Sequence, residues 1–189
     1  MFEKEDLKNA LQVLRNGGVI LYPTDTVWGL GCDATNVEAV KKIFTIKQRE
    51  DSKSMLVLME NPNMLGAYLK DVPEVAWQLI EVTDKPLTII YPGAKNFAPN
   101  LVAEDGSIGI RITTETFTEH LIQQFRRPVV STSANLSGKQ APQNFDEIEE
   151  GILSAVDYVV QYRQGDTSKS KPSAIIKLGL SGQIQIIRS

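Results

Sequence analysis

The apolar run GVILY at residues 18–22 ends against Pro23 and empties into Thr24, Asp25 and Thr26, after which Trp28 and the glycines of GLG lead to Cys32. Proline supplies no N–H to a ladder, so a buried strand has to halt there. The two glycines mark a turn or a close backbone approach. A strand that opens into hydroxyls and a carboxylate builds a small-molecule site at the carboxyl edge of a sheet. The same side chains also serve a plain turn, whose backbone donors Thr24 and Asp25 would satisfy. Local pattern leaves these two readings level.

The rest of the chain supplies elements to surround that stretch. Leu7, Leu11 and Leu14 recur at helical spacing over residues 3–15, with Gly17 and Gly18 as the stop. A second helix is expected from Thr35, with Glu38 completing a capping box and Val40, Ile43 and Phe44 on its apolar face. Short helices over 61–70 and 73–82 carry a proline near each start. Further helices are expected over 117–125 and 144–153, the latter capped by Asn144. Strands are expected at 55–59, 87–91, 107–112, 129–130, 158–162, 174–178 and 184–187. Helices and strands alternate early and strands dominate late, which reads as an α/β fold with a twisted, partly mixed sheet and covering helices. At 189 residues one core suffices, so a single domain over residues 1–189 is expected.

Charge is distributed unevenly. Lys41, Lys42, Lys47, Arg49 and Lys53 crowd into thirteen positions around the end of the second helix. One reading is helix-dipole compensation. The other is a positive funnel that suits a nucleotide phosphate, a carboxylate or bicarbonate. Arg111 stands inside the strand SIGIRI, where an arginine needs either an edge partner or a cavity to point into. In PVVSTSANLSG, residues 128–138, Ser131, Ser133 and Asn135 fall on one face of an extended segment. That ladder suits phosphate oxygens, a ribose or an adenine edge, or is simply a polar loop. The polar loop 165–173, GDTSKSKPS, is placed to close over a ligand.

Several function classes drop out. The net charge of −3 gives no global basic field for nucleic acid. Cys32 and His120 each stand alone, which excludes an internal disulfide and a Cys/His zinc centre, so no metal ligands are assigned. The serines lack a Gly-x-Ser-x-Gly elbow. Neither GxxxxGK[ST] nor GxGxxG occurs, so ATP use would need another architecture. The first eighteen residues show no signal-peptide pattern, and no apolar run nears the roughly 20 residues of a membrane span. A cytoplasmic protein without membrane contact is expected.

With these stretches together, the chain resembles the YrdC/TsaC family of threonylcarbamoyl-AMP synthases from about Leu11 to Ile187. Residues 22–32 resemble the family's PTDTVYGLGC signature, 47–56 its Lys-x-Arg region, 109–112 its Gly-x-Arg strand and 131–138 its SxSANxSG segment. The resemblance implies a twisted open sheet around a deep basic cavity, in the short, single-domain form. It implies condensation of L-threonine, bicarbonate and ATP to threonylcarbamoyl-AMP and pyrophosphate, for N6-threonylcarbamoyladenosine in tRNA. Mg²⁺ would ride on the triphosphate. Lys47, Arg49 and Lys53 would be the catalytic cations. Thr24, Thr26, Trp28, Arg111, Ser131, Ser133, Asn135 and Ser173 would bind substrate and nucleotide. The downstream threonylcarbamoyl transferase complex is an expected partner, and the chain would be a monomer or a homodimer.

Departures from the family pattern are Trp28 in place of tyrosine, Met55 in place of proline, and Thr83-Asp84-Lys85-Pro86 in place of Pro-Gly-Pro. Two other readings compete: an RNA-binding module, opposed by the charge, and an enzyme forming a different carbamoyladenylate.

Overall fold

The computed structural model describes residues 2–48, 55–169 and 171–189. Among them nine strands form one sheet in the order β7-β1-β2-β6-β3-β5-β4-β8-β9. The strands are β1 (Ile20–Tyr22), β2 (Gly29–Gly31), β3 (Leu56–Met59), β4 (Leu87–Tyr91), β5 (Ile108–Ile112), β6 (Val129–Ser133), β7 (Tyr158–Val159), β8 (Ala174–Leu178) and β9 (Ile184–Arg188). The pairs β1/β7, β3/β5 and β4/β8 are parallel and the others antiparallel, so the sheet is mixed. The helices are α1 (Lys4–Arg15), α2 (Val37–Lys47), α3 (Leu65–Tyr68), α4 (Glu74–Val82), α5 (Thr116–Phe125) and α6 (Glu150–Leu153).

Side chains alternate across a strand, so register decides what each face carries. Val57, Ile110 and Ile89 lie side by side on one face and pack against Val40, Ile43 and Phe44 of α2, Leu65 of α3 and Ala76 of α4. On the other face, Leu58 and Val129 join Ile20 and Tyr22 under Leu7, Leu11 and Leu14 of α1 and Phe117 and Leu121 of α5. Those two helices cover only part of that face. The uncovered part is paved by Gly29, Ser133, Ser131, Leu56, Gly109, Arg111 and Thr88, which neighbour one another across five strands. Small residues and hydroxyls there leave a floor that no helix could bury profitably.

The GLG stretch is a strand rather than a turn. Gly31 lies opposite Ile20, and a Cβ at Gly31 would stand 2.5 Å from Tyr22 Cε1 and 3.0 Å from the Val130 carbonyl. Tyr22 cannot retreat, because it is fully buried and its hydroxyl donates to the Val130 carbonyl at 3.1 Å. Burial also pushes that phenol's pKa well up. Gly31→Ala is therefore expected to cost about 1–3 kcal/mol of overpacking. In urea this appears as a lower unfolding midpoint with an unchanged slope.

Three helix boundaries differ from the sequence expectation. The cap of α2 is Asn36, whose side chain accepts from the N–H groups of Glu38 and Ala39. Thr35 instead donates its hydroxyl to Asp33 Oδ1 at 2.7 Å. Residues 61–70 split into a 3₁₀ turn, Pro62–Met64, and α3, which ends where Leu69 turns extended. Residues 144–153 split likewise, because Ile148 is extended between the 3₁₀ turn Phe145–Glu147 and α6. No described helix is long and apolar enough to cross a membrane.

Candidate active site

A cavity of about 270 Å³ opens on the uncovered face, walled by Thr26, Arg111, Ser131, Ser133, Ser173 and Arg188. Leu56 and Ile175 belong both to it and to a wider hollow of about 600 Å³ that continues along β4, β5 and β8. That hollow reaches Lys177, whose ammonium lies 2.6 Å from Asp105. This donor and the Ser107 hydroxyl hold the Asp105 carboxyl down at about 2. Together the two volumes suit a substrate of nucleotide size.

Arg111 is the charged centre of the smaller cavity. It stands on β5, which has β3 and β4 as neighbours, so it is at no edge. Its Nη2 donates to Thr26 Oγ1 at 3.1 Å and lies 2.9 Å from Asp25 Oδ1. Both side chains of this ion pair are buried, at 3% and 6% exposure. Yet Arg111 Nε and both Asp25 oxygens make no aligned hydrogen bond within the protein. An interior guanidinium and carboxylate normally use all such capacity, so the pair holds donors and acceptors in reserve.

The polar knot resolves into two roles. Thr24 Oγ1 donates to the Val27 carbonyl at 2.8 Å and accepts from the Thr26 N–H at 3.0 Å, so its hydroxyl closes the turn. Thr26 faces the cavity. Ser173 Oγ lies 2.8 Å from Thr88 Oγ1, and the Ser173 carbonyl accepts from Arg188 Nε at 2.9 Å. Gly29 keeps the floor open, since a Cβ there would sit 3.3 Å from Ser131 Oγ. Buried Lys47 of α2 donates through Nζ to the carbonyls of Ser133 and Asn135, the latter at 2.7 Å.

A family model named for Sua5, YciO and YrdC and described as telomere recombination matches residues 12–189. The chain belongs to that family. It is 32% identical over 187 residues to the threonylcarbamoyl-AMP synthase of Pseudoalteromonas translucida, covering 97% of this chain and 98% of that protein. Its fold matches E. coli YciO with a TM-score of 0.85 at 26% identity, covering 99% of this chain and 90% of YciO. It also matches P. abyssi Sua5 complexed with L-threonine, with a TM-score of 0.84 at 25% identity over 94% of this chain. The chain spans about half of that Sua5, 52% of its length.

Within this family member, Thr26, Arg111, Ser131, Ser133 and Ser173 are brought together around one cavity although they span residues 26 to 173. Four other expected residues lie elsewhere. Thr24 and Trp28 line a small recess beside Arg163, and the Trp28 ring packs at 4.9 Å against Phe145. Asn135 falls beyond the end of β6, where its amide donates to the carbonyls of Leu136 and Lys139 and shapes the following turn. Lys47 holds the serine segment through the carbonyls of Ser133 and Asn135 and does not line the cavity. Arg49 and Lys53 lie outside the described residues.

Two arginines escaped the sequence reading. Arg188 walls the cavity from the outermost strand, at the end of the IQII run that marks the strand in sequence. Arg163 ties the late loop to the polar knot, donating to the Thr24 carbonyl at 3.2 Å while its fork holds Asp166. The Asp166 carboxyl is held down at about 2, first by the Ser168 hydroxyl and backbone and then by Arg163. Asp25 was visible in the sequence, but its partner lies 86 residues away and no local pattern connects them.

Proposed function

We propose that this chain is an L-threonylcarbamoyladenylate synthase, joining L-threonine, bicarbonate and ATP for N6-threonylcarbamoyladenosine formation in tRNA. The observation that carries the reading is the convergence of Arg111, Thr26, Ser131 and Ser173 in one cavity that runs into a nucleotide-sized hollow. Family membership and a relative complexed with L-threonine point the same way.

In this reading Arg111 takes the threonine carboxylate with its planar donors, and Thr26, Ser131 and Ser173 orient the amino acid beside it. The amine attacks bicarbonate carbon and water leaves, giving a carbamate. A carbamate oxygen then attacks the α-phosphorus, and the bond to the β-phosphate oxygen breaks to release pyrophosphate. Positioning and charge neutralisation carry such a reaction, with no protein nucleophile needed. Ser133 and Arg188 face the phosphate side. Lys47 holds the serine segment, and Arg49 and Lys53 complete the cationic set.

No cluster of three or more acidic, His or Cys side chains that could hold a metal occurs among the described residues, and Asp25 already faces Arg111. In this reading Mg²⁺ would be carried by the triphosphate. The product would pass to a cytoplasmic threonylcarbamoyl transferase complex.

The test is pyrophosphate release from ATP and bicarbonate with and without L-threonine, with the nucleotide product identified by mass. The reading requires threonine-dependent release and threonylcarbamoyladenylate as product. Release that is no better with threonine than with serine, or a different adenylate, would overturn it.

A further inference from the structure

Helices α1 and α5 pack side by side and leave a groove of about 780 Å³ between them. It shares no lining residue with the front cavity around Arg111. α1 contributes Lys4, Leu7, Lys8, Leu11, Gln12 and Arg15, whose spacings of three and four put them on one helix face. α5 contributes His120 and Gln124, one turn apart. Phe2 stands at one end, its ring edge-on to Phe117 and His120. Arg15 crosses the other end, where its Nη2 donates to the Gln124 carbonyl at 3.2 Å. From Lys4 to Arg15 the groove runs about 16 Å, the length of three helical turns.

The charge along this groove has one sign. Lys4, Lys8 and Arg15 stand on the α1 side, and no carboxylate is among the lining residues. Glu5 reaches Lys8 at 3.3 Å from outside the groove, but the two side chains are 64% and 71% exposed, so the pair holds that ammonium weakly. Glu119, beside His120, acts on Glu60 instead, whose carboxyl is pushed up first by burial and then by this second carboxylate. His120 spends its Nδ1 proton on the Thr116 carbonyl at 2.7 Å, which leaves Nε2 for an occupant. Between the charges, the edges of Leu7 and Leu11 and the methylene stems of the lysines make the walls more apolar than polar.

We propose that this groove receives a helix of a partner protein, about three turns long, apolar on the entering face and acidic along the flank that meets α1. Along the groove the N–H and C=O groups of α1 and α5 bond within their own helices, so neither offers a free backbone edge. The occupant therefore has to satisfy its own backbone. A helix does so, and its apolar side chains at i, i+4 and i+7 enter one groove together. Carboxylates on its flank meet Lys4, Lys8 and Arg15 at the rim, where charge fixes orientation and partner choice. Nucleic acid fits less well. It calls for cations that track a backbone and for aromatic rings on which bases stack. Here the Phe2 ring is already packed against Phe117, His120 and Tyr162.

The test uses the intact chain with neither ATP nor L-threonine, so its outcome is independent of the proposed synthase activity. The probe is a labelled alanine-based peptide of about fifteen residues, with leucine at i, i+4, i+7 and i+11 and glutamate along one flank. A matched peptide carries lysine in place of each glutamate. Fluorescence anisotropy reads the affinity and amide chemical shifts read the place. The glutamate peptide should bind about tenfold or more tighter than the lysine peptide, with shifts at Leu11, His120 and Gln124. Lys4→Glu together with Lys8→Glu should reverse that preference. Gln124→Trp, which fills the groove from an exposed position, should abolish binding while the unfolding midpoint and the amides of Thr26 and Ser131 stay as in the parent. The proposal is overturned if the glutamate peptide does not bind, if the two peptides bind alike, or if the charge reversal leaves the preference unchanged. It is equally overturned if shifts cluster at Thr26 and Ser131, or if a single-stranded RNA oligonucleotide moves the groove amides at lower concentration than the peptide.

Discussion

Arg111→Ala is expected to destabilise the folded chain by about 3–5 kcal/mol, the usual consequence of removing one member of a buried ion pair. The cause is the partner left behind. Asp25 has only 6% of its side chain exposed and no hydrogen bond to either oxygen, so without Arg111 it would be a bare interior charge. Replacing both residues, Asp25→Leu with Arg111→Met, removes the charge along with its partner and should recover most of the loss. Urea unfolding of the two single variants and the double variant closes the cycle. Activity should behave differently. Because Arg111 lines the front cavity, pyrophosphate release should fall about a hundredfold or more in Arg111→Ala and stay low in the stable double variant. A single variant as stable as the parent would show that the pair contributes nothing. A double variant with normal turnover would remove Arg111 from the site.

The second large effect is expected at Lys47. Its ammonium donates to two carbonyls that flank Ala134, immediately after β6, from a side chain only 2% exposed. Lys47→Met keeps the length and the packing but takes the charged donor from both acceptors. A loss of about 2–3 kcal/mol follows from hydrogen bonds to a charged group given up in a buried setting. The damage should be local as well as global. The Ala134 N–H donates to the Trp28 carbonyl at 3.0 Å and joins this segment to the polar knot, so its exchange protection reports the loosening. Because Ser133 is part of the cavity wall, turnover should fall in parallel. If Ala134 exchange and turnover are both unchanged, Lys47 does not hold the serine segment.

Much of this architecture was legible from one dimension because the signals were local. Pro23 ends β1, the apolar runs mark the strands, and the hydroxyl-rich stretch after Val130 follows a strand onto a face that stays open. The odd placement of Arg111 was informative because a central strand tolerates such a residue only for a reason. What resisted reading was pairwise and distant. Gly29 and Gly31 fit a turn or a close backbone approach equally in sequence, and the approach is what they provide, because the atoms they make room for, in Tyr22, Val130 and Ser131, belong to other strands. Thr24 and Thr26 look equivalent in sequence, and only hydrogen bonding turns one hydroxyl into the backbone and leaves the other on the cavity. Arg188 was hidden by the apolar pattern of its own strand.

The position of that strand has a consequence for how the molecule breathes. β9 is held by β8 alone, and every one of its residues is exposed, whereas β3 and β5 lie in the middle of the sheet. Opening free energies rise from such margins towards the centre, so the margin swings away most often. The front cavity thus has one wall, Arg188 and the Ser173 carbonyl that anchors it, at a margin of the sheet. A molecule resting against that wall restrains the margin by mass action, to an extent set by its concentration relative to its dissociation constant. Occupancy would then be written in the exchange rates of amides along β8 and β9 while those of β3 and β5 stay still, making the outer edge of the sheet a gauge of what sits in the cavity beside it.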